Sequence, residues 1–219
     1  MGAGVLPLRQ RLSSGCVGGA TNLHVRSKKK AILSCAALRD GSSSLYRERI
    51  MNREFTAQFI KMLTNLDQLL VKAAAHAESK KCDVNNFFGD RLIVDMLPLS
   101  KQVLICCESA KACVATASHS DNPSFADEPA TMADLRGRIQ ATIDFLKGHL
   151  ESDYSAFESG KYFPYWANGK WMDGKTCFYE YGLPNFYFHL TMTYALLRRA
   201  GVELGKGDYL GALAFHQPE

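Results

Sequence analysis

Acidic residues are almost missing from the first 44 positions. Asp40 is the single acid there, against seven basic residues (Arg9, Arg11, Arg26, Lys28, Lys29, Lys30 and Arg39). The same stretch is rich in Gly, Ser and Ala and shows no sustained apolar period, a composition that cannot supply a packed core. Residues 1–44 are therefore expected to stand apart from a folded domain over 45–219. Two readings of them stay open. One is an organellar transit peptide, with "VRSKKKAILSCAA" near a processing point. The other is an over-long reading of the gene, with Met51 as the true start. A nuclear or nucleic-acid patch built on the lysine triplet is the weakest option, because so short a charge run is usually just solvated.

Other absences narrow the class further. No apolar run approaches the ~20 residues that cross a bilayer, so no membrane association is expected. The seven cysteines (Cys16, Cys35, Cys82, Cys106, Cys107, Cys113 and Cys177) are odd in number and contain no C-x-x-C. That excludes a disulfide framework and a zinc ribbon. It points to reduced thiols in an intracellular chain, cytoplasmic or organellar, with Cys106 and Cys113 as small core filler. Beyond residue 44 the chain carries 19 basic and 21 acidic residues, so no phosphate-binding surface and no nucleic-acid partner are implied.

What the chain does have is helical period. Phe55, Phe59, Met62, Leu63, Leu66, Leu70, Ala73 and Ala77 recur at spacings of three and four, giving a helix from about Arg53 to Ser79. Leu99, Val103, Cys106, Ala110, Val114 and Ala117 mark a second, from about Asp95 to Ser118, with Pro98 in its first turn. Leu135, Ile139, Ile143, Leu146 and Leu150 mark a third, from about Thr131 to Leu150, opened by a capping box with Asp134 in place of Glu. "YFPYWANGKWMDGKTCFYEYG" is aromatic, with Asn168-Gly169 and Asp173-Gly174 as turn signals, and reads as a short hairpin or ordered loop. The last helix is expected from Pro184 to about Gly201. These elements make an all-α protein, an antiparallel four-helix bundle.

One face of the last helix is unusual. At ~100° per residue, Asn185 and His189 share an arc with Met192 and Leu196 and so point into the bundle. A buried polar group without a partner costs ~1–3 kcal/mol, so both need partners. Asp95 and Gln102 on the second helix are the candidates, with Asp95 also able to cap that helix. His76 lies at the edge of the first helix's buried face, where a boundary histidine is a more natural reading than a functional one.

The stretches "RLIVDMLPLSKQVLICCESAKACVA", "PSFADEPATMADLRGRI" and "LPNFYFHLTMTYALLRRAGVELGKGDYLG" resemble an uncharacterised family of bacterial and fungal proteins. That family is placed within the DinB/YfiT-like superfamily of metalloenzyme-type bundles, and the resemblance implies a four-helix bundle. The superfamily often holds a divalent metal with three histidines, two of them as H-x-x-x-H at the start of the last helix. Here the second of that pair falls on His189 and the first on Asn185. The third belongs early in the second helix, where the chain offers Asp95 and Gln102. The three-histidine set is broken, so no metal and no cofactor are assigned. A two-histidine, one-carboxylate set of His76, Asp95 and His189 is the competing arrangement. Some superfamily members transfer groups to low-molecular-weight thiols, an activity that does not carry over without the triad.

Two functions from different classes follow. The first is a small-molecule pocket with a degenerate metal site, in which His189 acts as acid or base and Asp95 sets its tautomer. Asn185, Gln102 and His76 would line it, and Trp166, Trp171 and Tyr179 would lid it. The alternative is a non-catalytic interaction or structural protein, a homodimer being one form, in which the polar cluster fixes bundle register.

Overall fold

The structure is a computed structural model that describes residues 41–125, 128–154, 157 and 159–217, with side chains described from Arg53 onward except that of Tyr165. Four long helices carry the fold: α1 (Gly41–Ser79), α2 (Leu99–Ala117), α3 (Met132–Gly148) and α5 (Leu183–Arg199). A two-stranded antiparallel ribbon, β1 (Lys161–Tyr162) with β2 (Met172–Asp173), precedes the last of them. The short helices α4 (Gly174–Thr176) and α6 (Lys206–Leu210) complete the set. The all-α bundle expected from the apolar period is what forms. None of the described helices is long and apolar enough to cross a membrane.

Cross-helix pairs fix the helix directions. Arg136 reaches Asp67 at 2.7 and 3.0 Å and Arg53 reaches Glu151 at 3.0 Å, so α1 and the α3 end of the chain run antiparallel. Gln102 meets His189 and Ser109 meets Asn185, so α2 and α5 also run antiparallel. The rings of Phe59 and Phe186 lie 4.8 Å apart, and His76 stands beside Gly201, so α1 and α5 run parallel. Helices α2 and α3 both start beside the 3-10 turn Val84–Phe87. Leu99 N–H donates to Asp90 O, and Met132 N–H donates to Asn85 Oδ1. They therefore run parallel, and the connection between them, described over residues 118–125 and 128–131, returns along the bundle. That crossover is tied down at Lys111, which is 1% exposed. Lys111 donates to Pro123 O, pairs with Glu108 at 2.9 Å and sits 4.2 Å from the centre of the Phe125 ring.

The apolar stripes meet along the axis. Leu63 and Leu66 of α1, Val103 and Cys106 of α2, Leu135 and Ile139 of α3, and Phe186 and Leu197 of α5 are all fully buried. Each such side chain contributes roughly 1.5–3 kcal/mol of burial. The edge-on Phe59–Phe186 pair adds about 1 kcal/mol through its geometry. The capping box at Thr131 and Asp134 forms, with each side chain accepting from the other's backbone N–H.

Three boundaries differ from the sequence reading. Helix α1 is longer at its start, running from Gly41 rather than Arg53. The rest of the basic segment, residues 1–40, lies outside the described residues. Helix α2 begins at Leu99, four residues after Asp95, with Pro98 as its N-cap. Proline pushes the residue before it into extended backbone, so Leu97 and the turn ahead of it cannot join the helix. The last helical stretch begins at Gly174, ten residues before Pro184. Asp173 caps it, with Oδ1 accepting from Thr176 N–H at 2.8 Å, so Asp173-Gly174 is a helix start and not a hairpin turn. Asn168 and Gly169 do take left-handed backbone, with φ of 50° and 79°. Pro184 survives inside this stretch because Cys177–Gly182 form a π-helical turn. Its wider i→i+5 spacing absorbs the place where an α-helix would need the missing proline N–H.

Candidate functional site

The polar residues of α5 meet their partners on α2. Gln102 Nε2 donates to Leu97 O at 3.0 Å, which leaves Oε1 to face His189 Nδ1 at 2.6 Å. An amide oxygen only accepts, so Nδ1 carries the ring proton and Nε2 keeps its lone pair. Among the described residues Nε2 has no hydrogen-bond partner. Burial pushes the His189 pKa down to about 4, so the ring is neutral at physiological pH. One turn earlier, Asn185 Nδ2 donates to Ser109 Oγ at 2.8 Å, and Ser109 Oγ donates back to Ile105 O at 2.7 Å.

His189, Asn185 and Ser109 line a cavity of about 410 Å³ between α2, α5 and the aromatic segment, while Gln102, expected to line it, is buried behind His189 and reaches the cavity only through that ring. Helix α2 contributes Ile105, Glu108, Ser109, Ala112 and Cys113, which follow Gln102 along one face of the helix. The far wall is Cys177, Tyr181, Gly182, Asn185 and His189. Tyr162 and Trp166 close over it. The Tyr162 and Tyr181 rings stack at 5.9 Å, and Trp166 Nε1–H reaches Tyr181 OH at 3.4 Å. Burial beside Tyr181 holds the Tyr162 phenol well above its usual pKa, so it stays protonated. A larger depression of about 640 Å³ lies between the crossover and α3. Its charged groups are already committed, Asp134 to the helix cap and Arg138 to the ring of Phe125. The cavity at His189 is the one that gathers buried polar groups.

Four residues singled out in the sequence stand elsewhere. Asp95 sits exposed in the turn before α2, outside the cavity, so the tautomer of His189 is set by Gln102 instead. His76 lies beside Gly201 at the far end of α5, about 18 Å along the helix axis from His189 at ~1.5 Å per residue. The set of His76, Asp95 and His189 therefore does not assemble. Trp171 is exposed, with Lys161 Nζ 4.6 Å over its ring. Tyr179 packs edge-on against Phe55, Phe157 and Phe178 on the α1 side. Of the three expected lid residues only Trp166 faces the cavity. Ser109, Glu108, Cys113, Cys177, Tyr162 and Tyr181 complete the lining without standing out in the sequence. The signal that could have found Ser109 and Cys113 is their place seven and eleven residues after Gln102, on the same helical stripe.

For the metal that the superfamily resemblance implies, the donors bonded around His189 and Asn185 are one imidazole, two amides and a hydroxyl, while Glu108, Cys113 and Cys177 line the same cavity without clustering with His189. Divalent zinc prefers thiolate, imidazole and carboxylate. Among the described residues no three His, Cys, Asp or Glu side chains form a cluster that could hold a metal ion. This donor set does not fit the group, and no chemistry is routed through it.

Comparison with known proteins places the chain without assigning a reaction. No curated protein matches it. A crystal structure described as a DinB family member protein from Shewanella denitrificans is 37% identical, with a TM-score of 0.73. The match covers 80% of this chain and 99% of that one. A family model described as a domain of unknown function matches residues 53–210, from α1 through α6, and the chain belongs to that family, DUF1993.

Proposed function

We propose that this DinB-like bundle binds a small polar molecule in the cavity between α2 and α5, using what is left of a metal-type site as a neutral hydrogen-bonding one. The observation that carries this reading is the fixed tautomer of His189. A neutral imidazole with its Nδ1 proton spent on Gln102 offers Nε2 as a strong acceptor. The ligand it suits carries a donor, such as an amine, amide or hydroxyl. Asn185 and Ser109 add a second polar point about one turn along the wall, and Trp166, Tyr162 and Tyr181 supply apolar faces. The same lone pair could take a proton as a general base, because a pKa of about 4 leaves it free at neutral pH. The test is a thermal-shift screen of the full chain with small amines, amides, amino acids and sugars, repeated on His189→Ala. Compounds that raise the melting temperature of the natural chain and not of the variant support the reading. Compounds that stabilise both equally bind elsewhere, and a screen with no stabilising compound sinks it.

A second reading, an interaction protein, draws on the exposed apolar residues Leu92, Ile93, Val94 and Leu97 in the loop before α2. Val94 is 91% exposed, and a run of this kind is a common mark of a contact surface. Sedimentation of the full chain over a concentration series tests it. A dimer that Val94→Asp dissociates would favour this function over the pocket.

A further inference from the structure

We propose that Cys113 and Cys177 form a redox-active dithiol, which closes to a disulfide in the folded chain when hydrogen peroxide enters the cavity. Both residues line the cavity, one from α2 and the other from the π-helical turn, and their thiols hydrogen-bond to each other. The contact between their two elements is unusually close. A Cβ built on Gly182 would stand 2.0 Å from Cys113 Sγ and 3.1 Å from Cys177 O. Only a glycine lets the turn that carries Cys177 press so tightly onto Cys113. This stands on the two sulfurs and their surroundings, and it does not depend on what the cavity binds.

The other described cysteines lack this arrangement. Cys106 donates to Phe186 O at 3.7 Å in the core. Cys107 shares a hydrogen bond with Thr142, and burial pushes its thiol up to about 12. They are neighbours in sequence on one helix, so their side chains diverge by ~100°. Cys82 is exposed. In the Cys113–Cys177 pair, the S–H of Cys113 donates to the Cys177 sulfur, which lowers the Cys177 pKa, while Cys113 itself is held high. Cys177 is then the nucleophile and Cys113 the resolving thiol.

The chemistry balances with one peroxide. The Cys177 thiolate attacks one peroxide oxygen, the O–O bond breaks, and hydroxide leaves to become water, giving a sulfenic acid on Cys177. The sulfur of Cys113 then loses its proton and attacks the Cys177 sulfur. A second hydroxide leaves and takes up a proton. Two thiols are oxidised, one peroxide is reduced, and two waters form. Hydrogen peroxide suits the site because two heavy atoms can reach sulfurs on residues only 2% exposed. Closing hydrogen-bonded sulfurs to a bond of about 2.0 Å needs a small movement. The π-helical turn is the element able to make it, since such turns are rare and readily rearranged interruptions of a helix.

The test uses the full chain, reduced and desalted, then treated with hydrogen peroxide. The protein is quenched, its remaining thiols are blocked with N-ethylmaleimide in acidic urea, and unreduced digests are read by mass spectrometry. The expected result is a linked peptide pair joining Cys113 to Cys177, a loss of two free thiols per chain, and reversal by dithiothreitol. In Cys113→Ser, Cys177 should accumulate as a sulfenic acid that dimedone captures. In Cys177→Ser, Cys113 should remain a thiol. If either variant fails to fold, the peptide map of the natural chain decides alone. The proposal is overturned if both cysteines stay reduced at a dose that oxidises Cys82, or if Cys177 is oxidised without linkage to Cys113.

Discussion

A single proton decides what His189 can do. The ring is neutral because charging it inside the cavity wall would strip water from an imidazolium, and Gln102 offers only a neutral oxygen in return. The folded pKa, about 4, lies below the ordinary histidine value. Between pH 6.5 and 4 the unfolded chain therefore binds more protons than the folded one, and stability falls as pH falls through that window. Above pH 6.5 the group contributes no pH dependence. The cavity admits water, which screens the charge, so the loss amounts to about 1–2 kcal/mol. Thermal melts from pH 7.5 to pH 4 should show this decline, and His189→Gln should flatten it. Equal slopes in the two proteins would show that His189 titrates normally. That Asn185 and His189 point inward was legible from their spacing with Leu196. Their partners were not, because choosing Gln102 over Asp95 requires the register of α2 against α5 and the place where Pro98 lets α2 begin.

Among the elements, the π-helical turn is the one that sequence period could not reveal. A shift to i→i+5 bonding rotates every side chain after it. Tyr179 and Tyr181, two residues apart, face opposite ways, so misplacing the helix start selects the wrong tyrosine as a lid. The turn also explains Gly182, whose φ of −64° and ψ of −49° are ordinary helical values open to any residue. Its need is steric. Gly182→Ala should cost about 1–3 kcal/mol, as overpacking does, although alanine is the better helix former. Removing the obstructing sulfur should recover part of that loss, because without it the nearest Cys113 atom is the Cβ, 3.8 Å away. Urea unfolding of Gly182→Ala, Cys113→Ala and the double variant measures the coupling. Strict additivity would mean that the Cys113 sulfur is not what excludes a side chain at 182. The helices themselves were plain in the sequence, since their stripes are long and strongly periodic, and the Thr131–Asp134 cap marked the start of α3 to within a residue.

The whole molecule depends on a connection that apolar stripes do not encode. Four amphipathic helices imply a bundle, but the stripes look the same whether α3 runs with α2 or against it. The hint lies in loop length. Residues 118–131 could reach about 46 Å when extended, well beyond the ~28 Å length of α2, and so can return along the whole helix. What holds the crossover in place is a charge where none would be expected. Lys111 is buried, its ammonium spent on Pro123 O, Glu108 and the face of Phe125. Glu108 also lines the cavity, so the same contact links the crossover to the site. Lys111→Met keeps the apolar stem and removes the donor, leaving Pro123 O without that bond and Phe125 without its cation. The expected loss is about 1–3 kcal/mol, the cost of leaving a polar group unsatisfied. It should be accompanied by faster amide exchange in residues 119–130, while the centres of α1 and α5 stay as protected as before. Hydrogen-exchange mass spectrometry on the two proteins reads both effects. Unchanged exchange in the crossover would mean that the Lys101–Glu128 pair and the α3 cap hold it without Lys111. Faster exchange throughout the bundle would mean that Lys111 supports the core as a whole rather than the connection.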